Sequence, residues 1–201
     1  MRRRILEVPD PLLRETATPV GGDAVDMQDL VVDMFQTMHA NAGLGLAATQ
    51  LGIPRRLIVI ELPRDDDDPQ SGIRYVLMDP EISTSDANDD MVEGCLSLPG
   101  YRSMLERATA ITVEFTRLDG TRVSLDAKGL LAQAVQHEID HLNGVVFIDH
   151  LDSILELEQI PPDPLDWDED DDEDENDDED GTQSANTDEP VADATEDGAA
   201  A

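Results

Sequence analysis

Two histidines and a glutamate, His137, Glu138 and His141, have the types and spacing that metal-dependent hydrolysis requires. On an α-helix, residues four apart differ by about 40° around the axis, so both imidazoles can reach one cation. Glu138 lies about 100° from His137, where its carboxylate can address a water on that cation without joining the ligands. The group therefore predicts a hydrolase in which Glu138 carries the proton.

The third metal ligand has to come from another part of the chain. A zinc peptidase would supply a histidine or a carboxylate downstream, but His150 is the only later histidine, and the chain beyond it is too acidic to single out one carboxylate. Cys95, the only cysteine, is the better candidate because a thiolate binds borderline or soft divalent cations strongly. Cys95, His137 and His141 would leave a tetrahedral cation one position for water, as catalytic sites do.

Three segments now carry a family resemblance: GLGLAATQ at Gly43–Gln50, EGCLS at Glu93–Ser97 and QHEIDHLNG at Gln136–Gly144. In this order, together with the opening stretch from Ile5 to Arg14, they resemble the peptide deformylases. The resemblance implies removal of the formyl group from the initiator methionine of newly made polypeptides. It also implies one divalent metal ion, naturally iron(II), with nickel, cobalt or zinc as substitutes.

Catalytic roles can be placed on three residues. Glu138 can accept a proton as water attacks the formyl carbonyl, and can then pass it to the leaving amine. The oxyanion that forms needs fixed hydrogen-bond donors, each typically worth about 3 kcal/mol, and Gln50 can supply one. By family likeness, the backbone N–H of Leu96 is the other donor.

The substrate is expected to lie along a glycine-containing segment. Gly43 and Gly45 lack a Cβ, so an extended peptide can approach and pair there like an added strand, with Gly45 as its partner. Carry-over from the family places the methionine side chain in an apolar slot lined by Leu44, Val92, Leu130, Ala134 and the ring face of His137. Gln133, where relatives often have an aliphatic residue, would either rim this slot or alter its tolerance. Arg102 is predicted either to touch the substrate backbone or to form a surface ion pair.

Plainer alternatives exist for several of these assignments. Cys95 could be a small buried hydrophobe, and the Gly43–Gly45 segment could be only a helix stop followed by a loop. The coincidence of three motifs favours the functional interpretation of both. His39 and His150 have no partner that the sequence identifies.

Hydrophobic spacing predicts the elements that position these residues. Apolar residues recur at intervals of three and four from Met27 to Met38, as in an amphipathic helix. Apolar runs at 57–60 and 75–78 predict strands, the second halted by Asp79-Pro80, and alternation across 110–126 predicts a hairpin. Residues 130–142 form a largely apolar helix that carries both metal histidines. The predicted class is α+β, with mostly antiparallel β-sheets packed around this central helix.

One catalytic domain is expected over residues 1–160, followed by an acidic tail over residues 161–201. Residues 162–201 contain 19 Asp and Glu and no Lys or Arg. Burial of the few apolar residues cannot offset the entropy of ordering such a segment, so the tail is predicted to be disordered. The domain would end in a short helix within Leu151–Gln159.

The acidity is not confined to the tail, because residues 1–161 hold 28 acidic against 13 basic residues. Such a surface resembles that of a halophilic, salt-adapted protein: at about 1 M salt the Debye length is only ~3 Å, so repulsion between carboxylates is largely screened. The alternative is a basic partner, such as ribosomal protein surfaces near the peptide exit. The sign of the charge disfavours direct nucleic-acid binding.

The cellular setting is expected to be the cytoplasm. The apolar stretch after Met1 is interrupted by Glu7 and Asp10, so no secretory signal is predicted, and no segment could span a membrane. A single cysteine suits a reducing compartment. We expect a monomer that acts on N-formylmethionyl nascent peptides and associates transiently with the ribosome. Relatives commonly dock through a C-terminal helix, and the short segment predicted here puts that route in question.

Three functional classes stay open on this sequence. The deformylase leads. A metallohydrolase of similar fold that acts on another acyl group, or on internal peptide bonds, has Gln133 as its clue. A non-catalytic binding protein would be favoured if Glu138 or a metal ligand were missing, and neither is.

Overall fold

Two α-helices and six strands occur in the part of the chain that the structure, a computed structural model, describes: residues 1–21 and 27–161. In chain order these are α1 (Gln28–Ala40), β1 (Gly45–Ala47), β2 (Leu57–Glu61), β3 (Arg74–Cys95), β4 (Leu98–Thr116), β5 (Arg122–Lys128), α2 (Gly129–Leu142) and β6 (Glu158–Gln159). The α+β class is therefore confirmed. None of the described helices is long and apolar enough to cross a membrane.

A single antiparallel sheet contains all six strands, where the sequence had suggested more than one sheet. Its order is β1-β2-β3-β4-β5, and β6 pairs with β4 beside this path. Within that order β1 is an edge strand, hydrogen-bonded to β2 alone. The short β1 therefore keeps one side of its backbone free of pairing within the sheet, and this strand contains Gly45.

The strand β2 is buried on both faces, as its unbroken apolar run predicts. Ile58 and Ile60 belong to one core, and the alternate residues Leu57 and Val59 belong to a second core. The first core contains residues of α2 and the second contains residues of α1, because successive side chains of a strand point to opposite faces. The two helices thus cover opposite faces of the sheet at β2.

The helix α2 packs its apolar side against the sheet. Leu131, Val135, Ile139 and Leu142 recur at three- and four-residue spacing in the first core. The helix ends at Leu142, and Gly144 follows with φ +76°, where a Cβ would lie 2.5 Å from the carbonyl oxygen of Arg14. Only glycine fits that turn, which fixes the end of the helix next to its second histidine.

The predicted end of β3 was wrong. Asp79-Pro80 does not halt the strand: β3 runs on to Cys95, with a register shift between Met78 and Glu81. Asp79 adopts φ +49°, and its carboxylate accepts hydrogen bonds from the backbone N–H groups of Val20, at 2.8 Å, and Gly21, at 3.1 Å. These bonds hold a conformation that a non-glycine residue seldom adopts.

The predicted short helix within Leu151–Gln159 is also absent from the described residues. A single turn of 3₁₀ helix at Ile154–Glu156 is followed by the two-residue strand β6, which continues the sheet beside β4. The predicted disorder of the acidic tail concerns residues 162–201, which lie outside the described residues.

Candidate active site and metal centre

Three ligand atoms meet where the end of β3 packs against α2. The Cys95 sulfur and one ring nitrogen each of His137 and His141 lie within 4.8 Å of one another. Cys95 Sγ lies 3.2 Å from His141 Nε2, and the two imidazole rings meet edge to face with centroids 4.9 Å apart. The spacing of His137 and His141 on α2 thus places both imidazoles side by side, and the end of β3 places the Cys95 thiol next to them.

The ring orientation of His137 is fixed by a buried carboxylate. Its Nδ1 lies 2.9 Å from Oε2 of Glu93, which is itself buried. This contact occupies Nδ1 and leaves Nε2 for a cation, the arrangement by which carboxylates commonly orient metal-binding histidines.

A chain of charged groups extends this contact away from the metal ligands. Arg107 donates to both carboxylate oxygens of Glu93, at 2.7 and 3.1 Å, and its third nitrogen lies 2.8 Å from Asp140. Asp140 also contacts His150, at 2.8 Å. Because Arg107 is buried and bidentate, it holds Glu93 in one orientation.

The pKa values of these groups follow from burial and from the contacts. Burial opposes the charge on Glu93, but hydrogen bonds and charges from His137 and Arg107 outweigh it and lower its pKa to about 2. Burial likewise opposes charge on His137, yet hydrogen bonds with Cys95 and Glu93 raise its pKa well above the usual value. Burial and the neighbouring His137 charge lower the pKa of His141. Glu93 therefore stays ionised beside the histidines.

Glu138 is a buried carboxyl next to the candidate ligands. It is 3% exposed, and burial raises its pKa to about 7. Positive charge beside it favours the carboxylate, so a bound cation would lower that pKa. Burial and a bound cation thus shift this pKa in opposite directions.

Gly45 makes room for this carboxyl. A Cβ on Gly45 would overlap Glu138 Oε1, and a Cβ on Gly43 would lie 2.6 Å from Leu96 Cδ1. From the sequence, both glycines are expected to let a peptide approach the backbone. The structure supplies a second reason, which is that the backbone of β1 and the preceding loop lie directly against the side chains of the site.

Gln50 lies beside the cysteine. Its carbonyl oxygen accepts from the backbone N–H of Ala47 at 2.9 Å, and its amide nitrogen lies 3.1 Å from Ser97 Oγ and 3.7 Å from Cys95 Sγ. The backbone N–H of Ser97 donates to the same sulfur, with a distance of 3.3 Å. Two hydrogen-bond donors thus face the sulfur of Cys95.

Two buried polar atoms in the site have no hydrogen-bond partner among the described residues: Glu138 Oε2 and His141 Nδ1. Buried polar atoms without a partner cost free energy and are uncommon in native proteins. A Cys-His-His donor set suits a borderline divalent cation. The residues present therefore fit a bound metal ion, with Glu138 next to it.

A cleft of about 730 Å³ opens at this centre. It gathers most of the predicted site residues, namely Gly43, Leu44, Gly45, Gln50, Val92, Cys95, Leu96, Leu130, Gln133, Ala134, His137 and Glu138. Buried His141 completes the ligand cluster without lining the cleft. Among the described residues, Arg102 is not part of the lining; it donates to Glu158 at 3.2 Å. Its contact with substrate stays a prediction.

Gln133 is oriented by the sheet. Its side-chain nitrogen donates to the carbonyl oxygen of Val92 at 2.7 Å, and the residue is 8% exposed. The amide therefore bridges α2 and β3 at the cleft wall. It lines the cleft next to Ala134.

Sequence reasoning missed the supporting residues Glu93, Ser97 and Arg107. Glu93 and Ser97 stood inside a quoted motif, and Glu93 lies two residues before Cys95 on a strand, which places both on one face. That spacing could have indicated the role of Glu93. Arg107 carries no comparable sequence pattern, because its partners come from β3 and α2. His39 and His150, left without partners by the sequence, contact Glu61 and Asp140.

The α+β fold thus brings Cys95, His137 and His141 together as a candidate metal centre. A family model described as polypeptide deformylase matches residues 2–156. A peptide deformylase of Phenylobacterium zucineum (strain HLK1) is 44% identical over 158 residues, covering 78% of this chain and 91% of the relative. One of Rhizobium meliloti (strain 1021) is 41% identical over 151 residues, covering 75% and 85%.

Solved structures agree with these relatives. A peptide deformylase from Legionella pneumophila superimposes with a TM-score of 0.70 at 40% identity, covering 78% of this chain and 89% of that one. The enzyme from Ehrlichia chaffeensis in complex with actinonin gives 0.71 at 38% identity, covering 77% and 90%. The chain belongs to the peptide deformylase family, whose members are hydrolases that remove the N-formyl group from nascent polypeptides.

Proposed function

We propose that this cleft carries out the deformylation, with Cys95, His137 and His141 holding one divalent metal ion and Glu138 acting as the catalytic acid and base. The observation that carries the proposal is the meeting of the three ligand atoms with a buried carboxyl in one cleft. We propose iron(II) as the natural metal, with nickel, cobalt or zinc able to replace it, since the donor set suits each of them. When bound, the cation supplies Lewis acidity and lowers the pKa of water to about 7.

Glu138 is the proton carrier in this proposal. Its carboxylate takes a proton from the water whose oxygen attacks the formyl carbon. It then gives that proton to the methionine nitrogen as the C–N bond breaks, so that formate and a free amine leave. Burial raises the pKa of this carboxyl and so opposes the lowering by a cation, which supports its role in both transfers.

Gln50 and Leu96 are proposed to stabilise the oxyanion formed during the attack. The Gln50 amide nitrogen lies within 3.7 Å of Cys95 Sγ, and Leu96 directly follows that cysteine in the cleft lining. Donors held in place before the reaction need no reorganisation as charge develops, which makes them effective.

The substrate peptide is proposed to add to the edge strand β1 beside Gly43 and Gly45, where one side of the strand is free of pairing within the sheet. Its methionine side chain enters the apolar part of the cleft lined by Leu44, Val92, Leu130, Ala134 and His137. Gln133 rims this slot, because the hydrogen bond to Val92 holds its amide at the wall.

The decisive experiment compares a formyl-methionyl peptide with its acetylated twin. Protein loaded anaerobically with iron(II) in molar potassium chloride is assayed beside a nickel-loaded control, with free amine as the product measured. We expect strong turnover of the formyl peptide alone, because members of the family remove formyl groups. Failure of folded, metal-replete protein on the formyl peptide would favour a metallohydrolase that acts on another acyl group.

The wider setting is proposed on less direct grounds. A reducing compartment protects the lone cysteine of the candidate metal centre from oxidation, which supports a cytoplasmic enzyme. Transient ribosome association would bring it to nascent chains, but no helix follows α2 in the described residues except single 3₁₀ turns, so a C-terminal docking helix is not the proposed route. Residues 1–160 form the proposed catalytic domain and residues 161–201 the acidic tail.

A further inference from the structure

A short segment beyond the family match reaches the cleft. The match ends at residue 156, whereas β6 and the residue after it, Ile160, lie past that point. Ile160 nevertheless lines the same cleft as Glu138 and the candidate metal ligands Cys95 and His137. Part of the cleft wall is therefore built by a residue that lies beyond the matched region.

Several bonds hold this segment in place. The strand β6 pairs with β4 through Tyr101 with Gln159 and Arg102 with Glu158, and the backbone N–H of Ile160 donates to the carbonyl of Gly100 at 2.8 Å. Just before the strand, Ser103 Oγ donates to the carbonyl oxygen of Glu156 at 2.7 Å. Such ladder bonds fix the direction of side chains along a strand.

An ion pair adds to this anchoring. Arg102 Nε donates to Glu158 Oε2 at 3.2 Å. Both side chains are about half exposed or more, at 49% and 66%, so the pair contributes to register more than to stability. Leu157, at the other end, packs on the small core formed by Leu105, Val146 and Phe147.

The chemistry of this wall is apolar. Ile160 and Tyr101 remain 41% and 37% exposed, and they line the cleft together with Leu98 and Pro99. The metal ligands receive the formyl group, and the slot at Leu130 and Ala134 receives the methionine. The chain that follows the methionine has to leave along the remaining lining, which includes this wall.

Resting on the proposed function, we propose that Ile160 is a specificity-determining residue, which forms with Tyr101 an apolar contact for the first or second residue after the substrate methionine. The substrate class is formyl-methionyl peptides that carry an aliphatic side chain at that position. Partial burial of a leucine against this wall, compared with alanine, should favour the leucine peptide by about tenfold in kcat/KM.

The test uses the full-length, metal-loaded protein and formyl-methionyl tripeptides with leucine, alanine or aspartate at the second or the third position. The quantity measured is the ratio of kcat/KM for leucine to that for alanine at each position. We expect a ratio near tenfold at one position in the unsubstituted protein. Ile160→Ala should reduce that ratio to about two or less, and Ile160→Leu should restore it, because an aliphatic group again faces the substrate.

Ile154→Ala is the matched control, since Ile154 is 70% exposed and is not part of the cleft lining. It should leave both the ratio and the activity unchanged. An equal loss on all peptides in Ile160→Ala would show that the residue only supports the fold, and would overturn the proposal. A preference for the aspartate peptides would also overturn the proposal. It would indicate that Arg3 and Arg4, which line the same cleft, select the substrate side chain. Failure of the unsubstituted protein on every formyl peptide would instead contradict the proposed function.

Discussion

Glu138 is buried beside the candidate metal ligands, and burial raises the pKa of its carboxyl, as suits the proton carrier that we propose. Replacing it with glutamine keeps the size and the packing but removes the group that can take a proton. We expect Glu138→Gln to lower kcat by about 10²- to 10⁴-fold while metal content stays unchanged. Steady-state kinetics beside elemental analysis of the purified variant measures both quantities. Retained turnover at full metal content would remove Glu138 from the acid–base role.

Arg107 acts on the site through Glu93. Because it donates to both oxygens of that carboxylate, its loss should loosen Glu93 and with it the imidazole of His137. We expect Arg107→Met to weaken metal binding about 10- to 100-fold. It should also lower the free energy of unfolding by about 3–5 kcal/mol, because a buried carboxylate loses its partner. Competition with a chelator, at a temperature where circular dichroism shows folded protein, measures the affinity.

Arg122→Met is the matched control for this change. Arg122 pairs with Glu81, whose side chain is 75% exposed, so the pair is solvated and far less costly to break. Equal metal retention by the two variants would show that the Arg107–Glu93 contact does not orient the ligand.

At the scale of elements, the site depends on how closely β1 lies against α2. A Cβ at Gly45 would overlap the Glu138 carboxylate, whereas a Cβ at Gly43 would meet the end of the Leu96 side chain. Gly45→Ala should therefore displace the carboxylate and lower kcat/KM by about 10²-fold. Gly43→Ala is expected to lose less, because an apolar side chain can shift without moving the proton carrier.

Kinetics of the two alanine variants, with metal content measured beside them, makes this comparison direct. A larger loss in Gly43→Ala than in Gly45→Ala would contradict the prediction. It would then point to pairing with substrate, and not to room for Glu138, as the main reason for a glycine in this segment.

The elements also show where local sequence patterns are reliable. The apolar run predicted β2, and the three- and four-residue spacing of apolar residues predicted α2. Both predictions were possible because a buried strand or helix face requires apolar residues at regular positions. Asp79 misled the prediction of β3, since its positive φ is held by two backbone N–H groups that are distant in sequence. The strand β6 is only two residues long, so its sequence shows no periodicity. It forms because its backbone pairs with β4 in the folded protein.

At the scale of the whole molecule, carboxylates outnumber basic groups throughout the chain, with a formal net charge of −34. Many of them lie on exposed strands and loops, including Asp65, Asp66 and Asp67. Their mutual repulsion weakens the folded state in dilute buffer and is screened by salt. We propose that this surface reflects salt adaptation, and expect the melting temperature to rise on going from dilute buffer to molar potassium chloride.

Thermal denaturation followed by circular dichroism provides the measurement. Sucrose at equal osmolality is the control, because it is excluded from protein surfaces but does not screen charge. A melting temperature that is unchanged or lower in molar potassium chloride would contradict salt adaptation. A basic partner would then become the better explanation of the acidity.

The sequence by itself determined the family and the residues of the candidate site: Cys95 stands in one short motif, and His137, Glu138 and His141 stand in another, whose spacing on a helix already limits what it can bind. The class α+β and the position of α2 followed from periodicity in the same way. Tertiary structure decided what surrounds them. The buried Arg107–Glu93 pair, the room that Gly45 leaves for Glu138, and the placing of Ile160 in the cleft all join residues far apart in sequence. Such contacts leave no local pattern, because each is created only when β1, β4 and β6 take their places in the folded protein.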